Sequence, residues 1–401
     1  MFHVKFQGAG AGLCINDEED AGQKLNHATM HETASEIPTA RIESIGRARA
    51  VYQIQPLNDR RWAKFVTTNA QASLFHSPEW LDALRQTYGY EPIAFTTAPP
   101  GDDLTNGIVF CRVDSWLTGR RLVSLPFSDY CQPLVQGQED LEILIAAVER
   151  ELQAGGWRYI EMRPLEPTDA TSRSCHAAAI YRHHHLDLRP DLETLFRNFH
   201  KSSIQRKIRR AEREDLAYRE GSSESLLGSF YELLVDTRQR HSVPPQPKKW
   251  FRTLMDAFGE ALKIRIALKD RKPVAAMLTI RYKDTLVYKY GGSDVRFSNL
   301  GGMQLLYWKS IQEAKNADLQ VFDLGRSDAH QSGLITFKRR WGATESTLTY
   351  CRCTASNRRP HIFDPGGASS SWKMRMAKRA FAHVPADFLS IVGTLLYKHV
   401  G

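Results

Sequence analysis

The sequence predicts an α/β protein (α+β in the looser usage) made of two similar halves, each a mixed sheet flanked by helices. Two observations carry this. The order strand-strand-strand-helix-strand occurs at about 92–162 and again at about 262–324. Such an order lays helices against a mixed sheet. The chain has 401 residues, 42% of them hydrophobic and 25% charged, enough apolar material for two cores of ordinary soluble type.

Residues 1–48 are rich in Gly, Ala, Glu and Thr without periodicity, and read as a flexible leader. They lack the basic region and apolar stretch of a signal peptide. Patterning begins near residue 50. DRRWAKFVTTN and SPEWLDALRQTYG read as helices, the second with Ser77 as cap and Pro78 at its first position. PIAFTT, GIVFCRV and RRLVSLP read as strands. In QEDLEILIAAVERELQAG, Leu141, Leu144, Ile145 and Val148 share one helical face, and Gly155 lies just past its end. WRYIEMRP is a strand stopped by Pro164.

A loop of Pro, Thr, Ser and Ala follows, which places the join of two domains, 49–178 and 179–356. HHLDL is a short strand. TLFRNFHKSSIQRKIRRAERED, ESLLGSFYELLVDTRQRH and PKKWFRTLMDAFGE are helices. LKIRIALKD, PVAAMLTIRY and TLVYKYGG are strands joined by tight turns. GGMQLLYWKSIQEAKNA is a helix, LQVFDLG a strand and ATESTLTYCR the last strand. Residues 357–401 form a basic, amphipathic tail, suited either to an anionic membrane face or to packing on the first domain.

The formal net charge is +9, which favours anionic partners such as a nucleotide, a nucleic acid or a membrane surface. Six scattered cysteines form no CxxC pair and read as reduced thiols of a cytoplasmic protein. His183, His184 and His185 lack a thiol or acid to complete a ligand set, so no metal is expected and the triplet reads as a polar strand start. There is no GxSxG elbow, P-loop or HExxH motif. Direct transfer without a covalent enzyme intermediate suits that absence.

Residues 197–213 carry seven cations, among them Lys201, Arg206 and Arg209, against few acids. Phe199 is the single phenyl ring among them, too little for a base-stacking platform, so the ligand expected there is a phosphate-bearing one. Gly301-Gly302 opens a helix, where backbone NH groups can hold a phosphate or an acyl carbonyl. RQRHSVPPQP is a stiff connector, with His241 at its start as a cap or a pocket wall.

HKSSIQRKIRRAER, RQRHSVPPQP, YKYGGSDVRFSNLGGMQLLYWKSIQEA, FDLGRSD and FKRRWGA, in that order, resemble the FemAB-type, BioF2-like branch of the GNAT acyltransferase superfamily. FHSPEWLDAL and LPFSDYCQPLV are similar in the first half, so the resemblance spans about 70 to 355. The tail is similar to that of an exosortase-associated subgroup. The resemblance implies two tandem GNAT-like domains and an acyl- or aminoacyltransferase. Its acceptor would be an anionic cell-envelope, peptidoglycan or polysaccharide precursor. Acyl-CoA and aminoacyl-tRNA both remain open as co-substrate, and tRNA is thereby a candidate partner. Only part of a CoA loop stands at Arg296–Gly302, and no long helical hairpin interrupts the second domain. The rival is a non-catalytic module holding lipid-linked or nucleotide diphosphates for envelope export.

By the same resemblance Arg296, Asn299, Gly301, Gly302 and Met303 would bind the donor. Lys338 matches the family's FK lysine, which steadies the tetrahedral intermediate. Such a cation contributes on the order of 3 kcal/mol when held at a forming oxyanion. The attacking amine must lose a proton, and Asp323, Asp328 and His330 are equal candidates to take it. Tyr290, Arg326, Ser327 and Arg339 would contact substrate with His241 and the basic run. Phe127, Ser128, Asp129 and Tyr130 would complete the acceptor cleft from the first half. The tail would bring the enzyme to the inner membrane as a peripheral contact.

Overall fold

In the computed structural model the described residues are 49–166, 176–354, 393 and 396–399. The predicted leader and most of the predicted tail lie outside them. The first half contains β1 (Tyr52–Ile54), α1 (Arg60–Thr68), α2 (Pro78–Tyr88), β2 (Glu91–Thr96), β3 (Ile108–Val113), β4 (Arg121–Val123), α3 (Gln138–Ala154), β5 (Tyr159–Met162) and β6 (His176–Asp187). The second contains α4 (Leu192–Asn198), α5 (Arg206–Arg213), β7 (Ala217–Gly221), α6 (Glu224–Arg240), α7 (Lys248–Phe258), β8 (Leu262–Lys269), β9 (Lys272–Tyr282), β10 (Thr285–Ser293), α8 (Gly302–Asn316), β11 (Val321–Asp328), α9 (Ser332–Arg339) and β12 (Thr344–Cys353).

All of these strands join one sheet in the order β1-β2-β3-β4-β5-β12-β6-β11-β10-β9-β8-β7. The order reads alike from both ends when the halves are matched, β1 with β7 through β6 with β12. Each half has one parallel pair, β4–β5 and β10–β11, bridged by α3 and α8 respectively, as parallel strands require a crossover. At the centre the halves exchange strands. β6 pairs with β11, and β12 pairs with both β5 and β6. One sheet therefore runs through both halves, and position 178 falls inside β6.

Apolar side chains on one face of the sheet pack with α1, α2, α6 and α7 around Trp62, Trp80, Phe230 and Trp250. On the opposite face, α5 and α8 cover β8, β9 and β11 with Tyr307, Trp308, Phe199 and Trp341. A third cluster sits between α3 and the first-half strands.

Several sequence expectations are corrected. The basic run is not one helix: α4 ends at Asn198, Phe199 is extended (ψ 146), and a π-turn at Lys201–Gln205 leads into α5. The buried Gln205 amide donates to the carbonyls of Phe196 and Phe199, each at 2.9 Å, satisfying the broken helix end. The histidine triplet lies within a twelve-residue strand, not at the start of a short one. β1, β7 and α9 were not predicted. α9 has eight residues, contains Gly333 and lacks a side-chain cap, so its local signal is weak. Cys353 is disulfide-bonded, against the reduced-thiol reading, while Cys111, Cys131 and Cys351 form no disulfide. Spacing along a chain does not reveal whether a cysteine finds a partner in the fold. Among the described residues no helix is long and apolar enough to cross a membrane.

Candidate active site at the seam between the halves

β10 and β11 run in register up to Val287 opposite Asp323. Beyond that point both strands bulge, β10 between Tyr288 and Tyr290, β11 between Asp323 and Arg326. Gly325 is left-handed (φ 69), and a Cβ there would lie 3.0 Å from an Asp129 carboxylate oxygen. Glycine thus permits both the turn and the approach of Asp129 to the β11 backbone. Asp129 arrives on a loop after β4 in which Leu125 and Phe127 also have positive φ.

Asp323 is buried and accepts three hydrogen bonds. Tyr130 donates from its hydroxyl at 3.0 Å, the Gly325 NH at 2.7 Å, and His183 Nε2 lies at 2.8 Å. Burial works to raise the Asp323 pKa, but His183 and these donors outweigh it and hold the group down at about 2. Asp323 is a carboxylate whenever the protein is folded near neutrality.

Lys338, on α9, is 1% exposed. Its ammonium donates to the carbonyls of Gly325 at 2.8 Å and Arg326 at 3.1 Å. No carboxylate lies among those partners. Burial pushes its pKa down to about 8, with Asp129 and Asp323 opposing the shift and Lys289 and Arg326 adding to it. The bulge in β11 therefore aims two carbonyls at a cation that is half-way to neutrality at mildly basic pH.

Asp129 is paired instead with Lys289, 3.0 Å away on β10, whose side chain is 5% exposed. The Lys289 ammonium faces the rings of Phe75, Trp80 and Tyr290 at 5.0, 5.6 and 5.7 Å, an aromatic box of the kind that stabilises a buried cation. Arg326 stacks on Tyr181 at 4.1 Å and reaches Asp129 at 3.6 Å. Tyr350, on β12, donates to the Asp129 carbonyl at 2.7 Å and lies under Arg163 at 4.9 Å. Arg326 Nη1 and Ser327 Oγ are buried without a hydrogen-bond partner among the described residues. Unpaired polar atoms beside a charged seam are groups that a bound substrate can satisfy.

A family model described as Acetyltransferase (GNAT) domain matches residues 198–339. Residues 198–339 are a GNAT domain. That match puts a GNAT-type acyltransferase domain in the second half of the chain. The crystal structure of FemX superposes with a TM-score of 0.59 at 13% identity, covering 75% of this chain and 96% of that one. A likeness at that identity establishes the fold. The C-terminal domain of a putative lysylphosphatidylglycerol synthetase from Agrobacterium fabrum is also similar, at 13% identity and TM-score 0.49, over 72% of this chain and 89% of that one. A tandem GNAT protein from the clavulanic acid biosynthesis pathway gives 9% identity and TM-score 0.48, over 77% of this chain and all (100%) of that one. No curated protein matches the chain.

The GNAT domain ends one residue past Lys338. Its seam gathers Lys338, Asp323, Arg326, Ser327, Asp129 and Tyr130, all singled out in the sequence. Tyr290 is adjacent, its hydroxyl accepting from Trp250 Nε1 at 2.9 Å. Phe127 packs among Tyr88, Tyr90, Trp250 and Tyr397 behind the Asp129 loop. Asp328 is half-buried at the end of β11, and His330 is exposed in the turn that follows. Arg339 turns away from the seam and pairs with Glu345 through two hydrogen bonds at 2.6 and 2.9 Å.

The donor-loop residues are arranged differently. Arg296 and Asn299 are exposed, with Arg296 bonded to Asp294. Gly301 and Gly302 are buried and Met303 is half-buried. A Cβ on Gly301 (φ 84) would collide with the Lys207 carbonyl of α5, so packing alone accounts for that glycine. Tyr307 of α8 stacks on Trp341 and meets Phe337 edge-on, tying the helix that begins at Gly302 to the helix that carries Lys338. Lys201, Arg206 and Arg209 are exposed; Arg206, Arg209 and Arg213 line a shallow depression on α5. His241 is an exposed cap at the end of α6.

Sequence reasoning missed Lys289, His183, Tyr350 and Arg163. A lone lysine inside the apolar strand TLVYKYGG was the available signal for Lys289. His183 gave none, because its partner Asp323 is 140 positions away.

Proposed function

We propose that the seam transfers an activated acyl or aminoacyl group directly to an amine of an anionic cell-envelope precursor. One observation carries this: the buried Lys338 ammonium, bonded to backbone carbonyls rather than to a carboxylate. Such a cation is free to compensate a charge that appears only in the transition state. Its two carbonyl bonds fix its position in advance, and its surroundings exclude water, where electrostatic stabilisation is strongest. Asp129, Asp323 and Arg326 stand around it; Asp323, already holding three donors, fixes the seam, and Asp129 is placed to accept the amine's proton, directly or through water.

The basic depression on α5 supports an acceptor or donor with phosphates. An aminoacyl-tRNA fits it as well as an acyl-CoA. The Gly301 packing against α5 supports a donor whose phosphates are held elsewhere than at that corner. The tail's basic composition supports a precursor met at the cytoplasmic face of the inner membrane.

The test is a thermal-shift screen of acyl-CoAs, charged tRNA and nucleotide-linked precursors, followed by a transfer assay with the donor that shifts the chain. Product formation that disappears in Lys338→Ala, with acceptor affinity kept, supports the enzyme. Loss of affinity alone, with no product from any donor, assigns the seam to a diphosphate-holding module instead.

A further inference from the structure

Asp129 is carried by a loop that a free chain would not choose. Leu125 and Phe127 have side chains and yet lie in the left-handed region, at φ 57 and 62. Such backbone persists only where its surroundings over-determine it. Leu125 is fixed through its carbonyl, which accepts from the Ser128 hydroxyl at 2.6 Å and from Arg163 at 2.8 Å. Phe127 is fixed through its ring. Its socket is made by Tyr88 at 4.7 Å, Tyr397 at 5.6 Å, Trp250 at 6.0 Å and Tyr90 at 6.3 Å between ring centroids. Tyr88 and Trp250 belong to α2 and α7, and Tyr90 precedes β2. Tyr397 reaches the socket from a distant part of the sequence, the short helical stretch 396–399.

Tyr397 is itself held from both halves. Its hydroxyl donates to the Pro244 carbonyl at 2.9 Å, in the connector that follows α6. Its carbonyl accepts from the Tyr90 hydroxyl at 2.6 Å. Two residues on, the His399 carbonyl accepts from the Thr118 hydroxyl at 2.7 Å and from Arg121 at 2.8 Å. The stretch is thus a strap between the connector and the first half, and its ring touches the loop. On the loop's other side, the Asp129 carboxylate meets Lys289 at 3.0 Å and Arg326 at 3.6 Å. One residue separates Phe127 from Asp129. That residue, Ser128, is buried and tied back to Leu125, so a movement of Phe127 is passed on to Asp129.

We infer that Tyr397 is a positioning residue for the transfer site: its ring closes the Phe127 socket and so holds the Asp129 carboxylate against Lys289, Arg326 and the β11 bulge. This rests on the reading of Asp129 as the group that takes the amine's proton. A base works only from within hydrogen-bond reach of that proton. With one wall of the socket gone, Phe127 can relax towards ordinary φ, and the carboxylate moves with it. The hydroxyl of Tyr397 secures the strap and the ring supports the loop, so substitution separates the two contributions.

The experiment uses the full chain with Tyr397→Ala, Tyr397→Leu and Tyr397→Phe, and Tyr397→Ala combined with Asp129→Asn. Hydrogen exchange read by mass spectrometry reports on the loop without any donor present. Tyr397→Ala should raise exchange across residues 124–131, and Tyr397→Leu should do so to a lesser degree, which keeps the test open if the alanine variant does not fold. Tyr397→Phe keeps the ring and should exchange as wild type does. In the transfer assay Tyr397→Ala should lower kcat roughly tenfold, a share of the ~100-fold that a placed base supplies, with donor KM unchanged. Tyr397→Phe should restore the rate. Added to Asp129→Asn, Tyr397→Ala should lower kcat no further, because both changes remove the same function. Losses that multiply in the double variant would overturn the inference and leave Tyr397 a support of the fold at large. Unchanged exchange across 124–131 in Tyr397→Ala and Tyr397→Leu would overturn it as well, whatever the rates. If wild type makes no product from any donor, the acyl-transfer reading fails, while the exchange result still decides whether Tyr397 holds the loop.

Discussion

The two halves place an acid at the same register of the same parallel pair and treat it differently. Glu161 stands opposite Val123 in β4–β5, and Asp323 stands opposite Val287 in β10–β11. Glu161 is gripped by two guanidiniums: Arg163 donates to it at 2.9 and 2.8 Å, and Arg352 at 2.7 Å. Asp323 is held by a histidine, a phenol and a backbone NH. The second half alone adds, among the described residues, a helix after the pair, and that helix delivers Lys338 to the bulged backbone. One seam is neutralised by salt bridges. The other keeps a buried cation without a carboxylate of its own. Equal topology therefore fixes where charge can be placed, and the side chains decide whether it is consumed in holding the sheet or left for a substrate.

The sharpest way to break this comparison is Lys338→Ala. Removing a preorganised cation from a developing oxyanion should lower kcat by about 100-fold to 1,000-fold, with acceptor affinity little changed. Steady-state kinetics that show only a raised KM would remove the distinction between the seams. Next come the acids themselves. Asp323→Asn and Glu161→Gln should each cost about 3 kcal/mol in urea unfolding, because each leaves buried donors or charges uncompensated. Only Asp323→Asn should also reduce turnover when assayed at a temperature where both variants are folded.

A pH series gives the third and smaller effect. Lys338 acts as a cation and its pKa is lowered to about 8. Turnover should therefore fall as pH rises through about 8, by roughly tenfold per unit beyond it. The Asp323 pKa is depressed from 3.8 to about 2. Its contribution to stability is present above pH 3.8 and is lost as pH falls towards 2, so acid unfolding should begin within that window. In Asp323→Asn this acid-limb component should be absent. The smallest effect belongs to Arg339→Ala. That guanidinium is exposed and pairs, among the described residues, with Glu345, so neither melting temperature nor turnover should change measurably.

Much of the fold was legible because its signals are local. The Ser77–Pro78 cap, the apolar stripe from Leu141 to Val148 and the strand runs each depend on residues within one or two turns of one another. The α9 helix was not legible, since eight residues with a glycine carry little propensity and the helix exists because Ile335 and Lys338 are buried against the sheet. At the site, Lys338, Arg326 and Asp323 were found from a resemblance and from their place after a strand. Lys289 and His183 were passed over because a charged residue in a strand looks the same whether it faces solvent or a partner.

By itself the sequence determined the repeated order of elements, the apolar faces that make two layers of helices on a sheet, and the basic excess that favours anionic ligands. Only the tertiary structure decided that β6 and β12 exchange places between the halves. That exchange brings His183 to Asp323, and Tyr350 to the Asp129 loop. The reason is physical: propensity and periodicity act over a few residues, whereas a buried charge takes its chemistry from neighbours that lie more than a hundred positions away and meet only when the sheet closes.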